Sequence, residues 1–381
     1  MSEDQELTVP SPAPGASRST RTTAALVWAR GVWDVVVLEA KQRLRSRGWY
    51  IVLALWFVLT GLVTGLTWAA FTAQQRANQL TPGAPALSEP GSLIFEVVLL
   101  FVLFLASVVT PALSASAVNG DRSQGTLAVL QASLLRPGQI LAGKMVAAWL
   151  AAIVLLAAAS PFLIVGVVLG RLSPAYVLIA VGALTVELGV ICALGTALSA
   201  LAARPLFSIV VTYLVVAMLC VGTIVAFAFG ASILGRGTLQ ANVYGVTSLH
   251  SNGSAPAYGC TGSLRDVQVV HTERVAWLLS MNPYVVVADA IPYPDRSGTL
   301  APVPQGAAEV ISQAARVALA GPEAVTQCVN GQPRPSYLPQ QTPLWPLGLG
   351  LQCVLAGALL WGARRALVTP ARRLARGTRV A

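Results

Sequence analysis

The chain has 381 residues, of which 55% are hydrophobic and only 10% charged, with a formal net charge of +10. A soluble domain is typically about 25% charged, so this composition excludes an ordinary soluble fold. The basic residues sit beside apolar runs instead of forming one stripe, which points to membrane topology and away from nucleic acid.

From Met1 to Thr23 the chain is rich in Ser, Pro, Thr and Arg and has no apolar run. Residues 1–23 are therefore expected to form a disordered cytoplasmic tail without a signal-peptide core. Residues 24–48 are expected to form an amphipathic helix lying in the membrane interface. Leu26, Trp33, Val37 and Leu44 recur on one face, Arg30, Asp34, Lys41 and Arg45 follow on another, and Lys41, Arg43, Arg45 and Arg47 close the segment as a basic cluster. Six apolar runs follow at about 49–71, 93–118, 144–170, 174–202, 206–234 and 344–362, each long enough to cross about 30 Å of hydrocarbon. Pro111 and Pro161 lie inside two of these runs and are expected to kink them. Residues 235–343 form a long connection in which Asn282-Pro283 through Ile291, and Ala307 to Leu319, read as short helices. Residues 364–381 form a basic tail. The predicted fold is an all-α polytopic membrane protein whose six transmembrane helices occupy 49–363.

Cytoplasmic flanks carry an excess of Lys and Arg. Placing the N-terminus inside assigns seventeen of the 25 basic residues to the cytoplasmic side and eight to the other. Both ends are thus expected in the cytoplasm, with the 235–343 connection outside. Cys260 and Cys328 then face an oxidising compartment, where they either form a disulfide or remain separate thiols. Cys192, Cys220 and Cys353 fall within spans and read as small packing residues.

The connection after the second span, beginning at Asn119, reads NGDRSQGTLAVLQASLLRPGQILAGKM. Asp121 and Arg122 precede the triplet Gly125, Thr126 and Leu127, and Gly143 with Lys144 closes the segment as the third span begins. In this arrangement the chain resembles the ABC-2 type permeases, the membrane subunits of one class of ATP-binding-cassette exporters. The resemblance covers roughly Val32 to Arg365 and includes the interfacial helix, the six spans and a long outer connection with an Asn-Pro. Two positions depart from the family pattern: Ala128 stands where an acidic residue is frequent, and Ser133-Leu134 where a Thr-Pro pair is frequent. Pro137 is available to take over as the helix breaker.

The resemblance implies a permease subunit that forms the translocation path of an exporter in a bacterial cell membrane. It also implies a homodimer or a heterodimer with a second permease, and a separate ABC-type ATPase that carries the ATP and magnesium. This chain would then hold no cofactor and catalyse nothing itself. The ATPase-coupling segment would comprise Asp121, Arg122, Gly125, Thr126, Leu127, Leu130, Arg136, Gly143 and Lys144. In it, Leu127 and Leu130 would present an apolar ridge on a short helix, and Asp121, Arg122 and Arg136 would set its register.

Gly138 to Met145, GQILAGKM, matches the phosphate-binding loop except that methionine replaces the final Ser or Thr. Without that hydroxyl and without a preceding strand it is not expected to bind ATP. Lys144 is expected to mark the cytoplasmic end of the third span and to snorkel. Glu187, an ionisable residue within the fourth span, is a candidate for the translocation path unless a neighbouring Ser or Thr satisfies it. Glu96 is expected near the interface. A membrane-embedded enzyme would lack equipment, because His250 and His271 both lie in the outer connection and His271-Thr272-Glu273 is too short for a zinc helix motif. An ion-coupled secondary transporter would call for inverted repeats and several intramembrane charges, and the sequence has neither.

Overall fold

The computed structural model describes residues 17–80, 90–124, 135–248, 257–294, 306–326, 328–329, 332–333, 338 and 342–368. Helix α1 (Ser17–Arg45) runs to Ser46, an extended residue, and α2 (Arg47–Gln79) then begins the first apolar span. The Tyr50 hydroxyl donates to the Leu44 carbonyl at 3.0 Å across this corner. Helix α1 starts at Ser17, earlier than the tail boundary expected after Thr23.

The second span is α3 (Pro90–Ser114), followed after two turn residues by α4 (Ala117–Gln124). Helix α5 (Pro137–Gly170) opens with Pro137 at its first turn, where a missing N–H costs nothing. It therefore starts two turns before Lys144, the expected start of the third span. Helix α6 (Pro174–Leu201) is capped by Ser173, which accepts from Tyr176 N at 3.3 Å. The fifth span is a composite of α7 (Pro205–Ala217), a π turn at Met218–Gly222 and α8 (Thr223–Leu234). After the 235–343 connection, the last span is α13 (Trp345–Leu367). These six helices are long and apolar enough to cross a membrane. Helices α3 and α5 run through Pro111 and Pro161 without ending.

The core lies where α3, α5 and α6 meet, built on Ile94, Phe95, Leu99, Leu103, Leu155 and Leu188. Small residues let these helices approach closely, as membrane packing requires. A Cβ on Gly166 would lie 2.8 Å from the Phe95 backbone, so only glycine fits where α5 crosses the start of α3. Helix α13 packs on α6, α1 on α5, and α2 on α3 and α5. Helices α2 and α7–α8 keep most of their apolar surface outside the bundle.

The all-α expectation fails in the 235–343 connection, which contains a sheet. Strands β1 (Arg236–Ser248) and β2 (Ala257–Val270) form an antiparallel ribbon with Arg236 opposite Val270 and Tyr244 opposite Cys260. Two short strands, β3 (Cys328–Val329) and β4 (Gln332–Pro333), extend it in the order β2-β1-β3-β4. Arg236, Thr238 and Gln240 are exposed while Gly237, Leu239 and Ala241 turn inward, the period of two that defines a one-sided strand. Between these strands lie α9 (Trp277–Ser280), α10 (Pro283–Ala290), α11 (Ala307–Ala320) and α12 (Pro322–Val325).

Two buried carboxylates tie this unit to the spans. Glu96 on α3 accepts from the Tyr176 hydroxyl at 2.6 Å and from Ala308 N and Glu309 N at 2.8 and 3.2 Å, so it caps α11. Asp289 on α10 accepts from Arg316 and Ser312 at 2.9 Å, and from Leu344 N at 2.6 Å and Trp345 N at 3.2 Å as α13 begins. Burial pushes the Tyr284 phenol on α10 up to about 12 and raises that of Tyr293 further.

Candidate functional site

Gly31, Val35, Glu39 and Arg43 recur every fourth residue on α1 and so lie on one side of that helix. This stripe packs against the first turns of α5. Gln139 donates to the Trp28 carbonyl at 3.2 Å, while its own oxygen accepts from Arg136 N at 2.7 Å and fixes the start of α5. One turn on, a Cβ at Gly143 would sit 2.6 Å from Val35 Cβ and 3.0 Å from the Val32 carbonyl, so the α1–α5 crossing requires glycine there.

Lys144 sits beside this crossing, and its ammonium pairs with Glu39 of α1 and, at 2.6 Å, with Asp121 of α4. Lys144 is 2% exposed, against 16% for Glu39 and 25% for Asp121. It does not snorkel to water as expected, because two carboxylates from other helices reach its amine inside the bundle. One cation thus joins three elements that are far apart in sequence. Arg43 adds a fourth tie by donating to the Leu113 carbonyl at the end of α3 at 3.1 Å. Burial lowers its pKa, and the nearby Glu39 opposes that shift.

Helix α4 is held from the other side. Ser199 Oγ accepts from Val118 N and Asn119 N at 3.0 and 3.2 Å, Ser208 donates to the Ala115 carbonyl at 2.7 Å, and Arg122 reaches the Ala202 carbonyl at 3.4 Å. Among the expected coupling residues, Asp121, Gly143 and Lys144 therefore come together, with Arg122 on the same short helix. Arg136 stands at the start of α5, exposed. Gly125, Thr126, Leu127 and Leu130 lie outside the described residues. Gly138–Met145 is continuous helix within α5, so it forms no phosphate-binding loop.

A second polar cluster sits within the bundle. Glu187 on α6 is fully buried, and neither of its oxygens finds a hydrogen-bond partner among the described residues. Gln352 of α13 faces it, and Gln352 itself donates to the Met281 carbonyl at 3.0 Å. Asn282, which caps α10 by accepting from Tyr284 N at 2.9 Å, donates to the Cys220 carbonyl at 2.7 Å and to Thr223 Oγ1 at 3.0 Å. Met218–Gly222 is bonded in the wider π pattern, with Thr223 N donating to the Met218 carbonyl, and Asn282 brings a donor from outside to the Cys220 carbonyl within it.

Far from the Lys144 cluster, Cys260 of β2 and Cys328 of β3 are joined by a disulfide with a Cα separation of 5.7 Å. Cys192 and Cys220 are buried or half-buried in the spans and Cys353 is exposed. His271 pairs with Glu273 at 2.7 Å on the surface. Among the described residues no group of His, Cys, Asp and Glu could hold a metal ion.

The sequence reading missed Glu39, Gln139, Gln352 and the π turn. Glu39 had one available signal, a carboxylate one turn from Val35 and Arg43 on α1 in a chain with only two lysines, one of them Lys144 at the start of the third apolar run. Compared with known proteins, residues 33–320 match the family described as ABC-2 family transporter protein. No curated protein matches the chain.

Proposed function

Because the chain belongs to the ABC-2 family of transporter proteins, whose members are multi-pass membrane components of transport systems, we propose that it is the permease subunit of an exporter driven by a separate ABC-type ATPase. The observation that carries this reading is the Lys144 cluster, which binds α1, α4 and α5 into one unit through Asp121, a few residues before Gly125 in the sequence. A push on that segment would reach α5 through Asp121 and Lys144, and α1 through Glu39. Such a route is what a pump with its engine on another chain requires.

In this reading both termini and the Lys144 end face the cytoplasm of a bacterial cell, and the 235–343 connection with its disulfide faces outward. The excess of basic residues at one end supports that orientation. ATP and magnesium belong to the partner. Two permeases, identical or homologous, enclose the path, and the uncovered apolar faces of α2 and α7–α8 suit contact with lipid or with a second permease. Affinity purification of the full-length chain from crosslinked membranes should recover an ABC-type ATPase, and Leu127→Asp should release it from a folded permease. Recovery of no ATPase overturns the reading.

A second reading, ion-coupled transport, is favoured by one observation, the carboxylate of Glu187 fully buried inside the bundle. Transport in inverted vesicles that proceeds without ATP and stops on Glu187→Gln would establish it in place of the first.

A further inference from the structure

A cavity of about 580 Å³ opens between α1, the first turn of α5 and the last turn of α13. Leu141, Met145 and Leu360 make an apolar wall, and Trp28, Trp361, Arg136 and Arg364 complete the lining. Trp28 and Trp361 are 42% and 57% exposed, and Arg364 is exposed beside them. No acidic side chain among the described residues lines this space. Arg365 lies over the Trp361 ring, 3.6 Å from its centroid, and holds the indole in place. Arg364 Nε lies 3.7 Å from where a Cβ on Gly138 would stand, which sets its guanidinium over the opening turn of α5. That turn presents the positive end of the helix dipole, while Pro137 has no N–H and Gln139 and Ile140 donate theirs to the Arg136 carbonyl.

The chemistry of the cavity is divided. Its wall suits hydrocarbon, whereas the two guanidiniums, the helix start and the missing carboxylates suit an anion. Its place at the ends of two spans is the depth at which Trp and Arg meet lipid headgroups. Basic pockets between spans recognise anionic headgroups for the same reasons.

We propose that this cavity binds one anionic phospholipid. Its phosphate is held by Arg136 and Arg364, and its acyl chains lie along Leu141, Met145 and Leu360. A lipid seated there bridges α5 and α13, helices that otherwise touch sparingly. The inference rests on the chain crossing a membrane and not on the transport reading.

The test uses full-length protein in mild detergent, equilibrated with phosphatidylglycerol or phosphatidylcholine, with bound lipid counted by native mass spectrometry. One phosphatidylglycerol should be retained in preference to phosphatidylcholine. The double variant Arg136→Gln/Arg364→Gln should weaken its retention by roughly thirtyfold, about fivefold per guanidinium. Arg236→Gln, in the distant β1 strand, should leave retention unchanged. Ala142→Phe fills the cavity and keeps both arginines, so it should also expel the lipid, and it decides the matter if the double variant does not fold. Equal retention of the two lipids, full retention in both cavity variants, or displacement by inorganic phosphate would each overturn the proposal. So would loss of a co-purifying ATPase from the arginine variant with lipid retention intact, because the occupant would then be protein.

Discussion

Lys144→Met tests the centre of the Lys144 cluster most directly. The substitution keeps the length and volume of the stem and removes the cation, leaving Glu39 and Asp121 facing each other at 16% and 25% exposure. Removing one partner of a buried ion pair costs about 3–5 kcal/mol, since the remaining charge has neither water nor counterion. Both carboxylates keep some solvent, so the expected loss lies at the lower end, about 3 kcal/mol, or roughly a 150-fold fall in the folded-to-unfolded ratio. Denaturant unfolding of the full-length protein in mild detergent, followed by tryptophan fluorescence, measures it. The triple variant Glu39→Gln/Asp121→Asn/Lys144→Met removes all three paired charges and should recover most of the loss, because replacing a whole buried pair is close to neutral. A single variant within about 0.5 kcal/mol of the parent, inside the range of an ordinary surface change, would mean that Lys144 reaches water. A triple variant as unstable as the single would mean that the cost is packing and not charge.

Gly143→Ala places a Cβ 2.6 Å from Val35, so α1 must shift away from α5; overpacking of this kind costs about 1–3 kcal/mol, and an unchanged melting temperature would refute the crossing. Asn282→Ala removes the donor to the Cys220 carbonyl and the cap on Tyr284 N, for an expected loss of about 2 kcal/mol. Asn282→Asp keeps the cap but cannot donate, so a variant with this change as stable as the wild-type protein would show that the π-turn bond contributes nothing. The Cys260–Cys328 bridge closes 68 residues of chain and in the loop-entropy account contributes about 4 kcal/mol. In intact cells a membrane-impermeant reductant should expose both thiols to a maleimide mass tag; labelling that requires a permeant reductant would place this connection in the cytoplasm. Burial holds Tyr284 neutral to about 12, whereas an unfolded phenol ionises near 10. Its contribution should be fully present below about pH 10 and lost as pH rises toward about 12, and Tyr284→Phe should flatten that loss in alkaline unfolding curves.

The six spans were legible because hydropathy over twenty residues integrates a strong signal, and the family was legible because the spacing around Gly125 is specific. The face of α1 that packs on α5 was not. Of the periodic apolar set, Leu26, Trp33 and Leu44 are exposed and Val37 is half-buried, Arg30, Asp34, Lys41 and Arg45 are exposed, and the packed face is the mixed stripe Gly31, Val35, Glu39 and Arg43. A helix with lipid on one side, water on another and protein on the third has two apolar faces, and periodicity alone selects the more hydrophobic one. Lys144 was misplaced for a related reason. A span was taken to begin where charge ends, but a lysine met by carboxylates from α1 and α4 can lie two turns inside. The β1–β2 ribbon was hidden because its inward positions, Gly237, Leu239 and Ala241, are too small and too few to raise hydropathy.

What is tied down bounds what can move. Helices α3, α5 and α6 share the core, with α1 clamped to α5 through Lys144, α11 clamped to α3 through Glu96, and α10 clamped to the start of α13 through Asp289. Among the described residues the fifth span has no such charged clamp; α7 packs on α6, α3 and α4, with Ser208 and Tyr213 donating to the Ala115 and Val108 carbonyls, α8 packs on α9, and between them the regular α ladder gives way to the π turn at Met218–Gly222. A helix bends most cheaply where its regular ladder is already disturbed, as at a π turn that an outside donor meets. Here the outside donor is Asn282, which also caps α10, so a displacement of the 235–343 connection bears on the middle of the fifth span through this side chain. Substituting Asn282 should therefore change the bend of the fifth span and the docking of α10 together, and a variant that altered only one of them would show that the two are not mechanically linked.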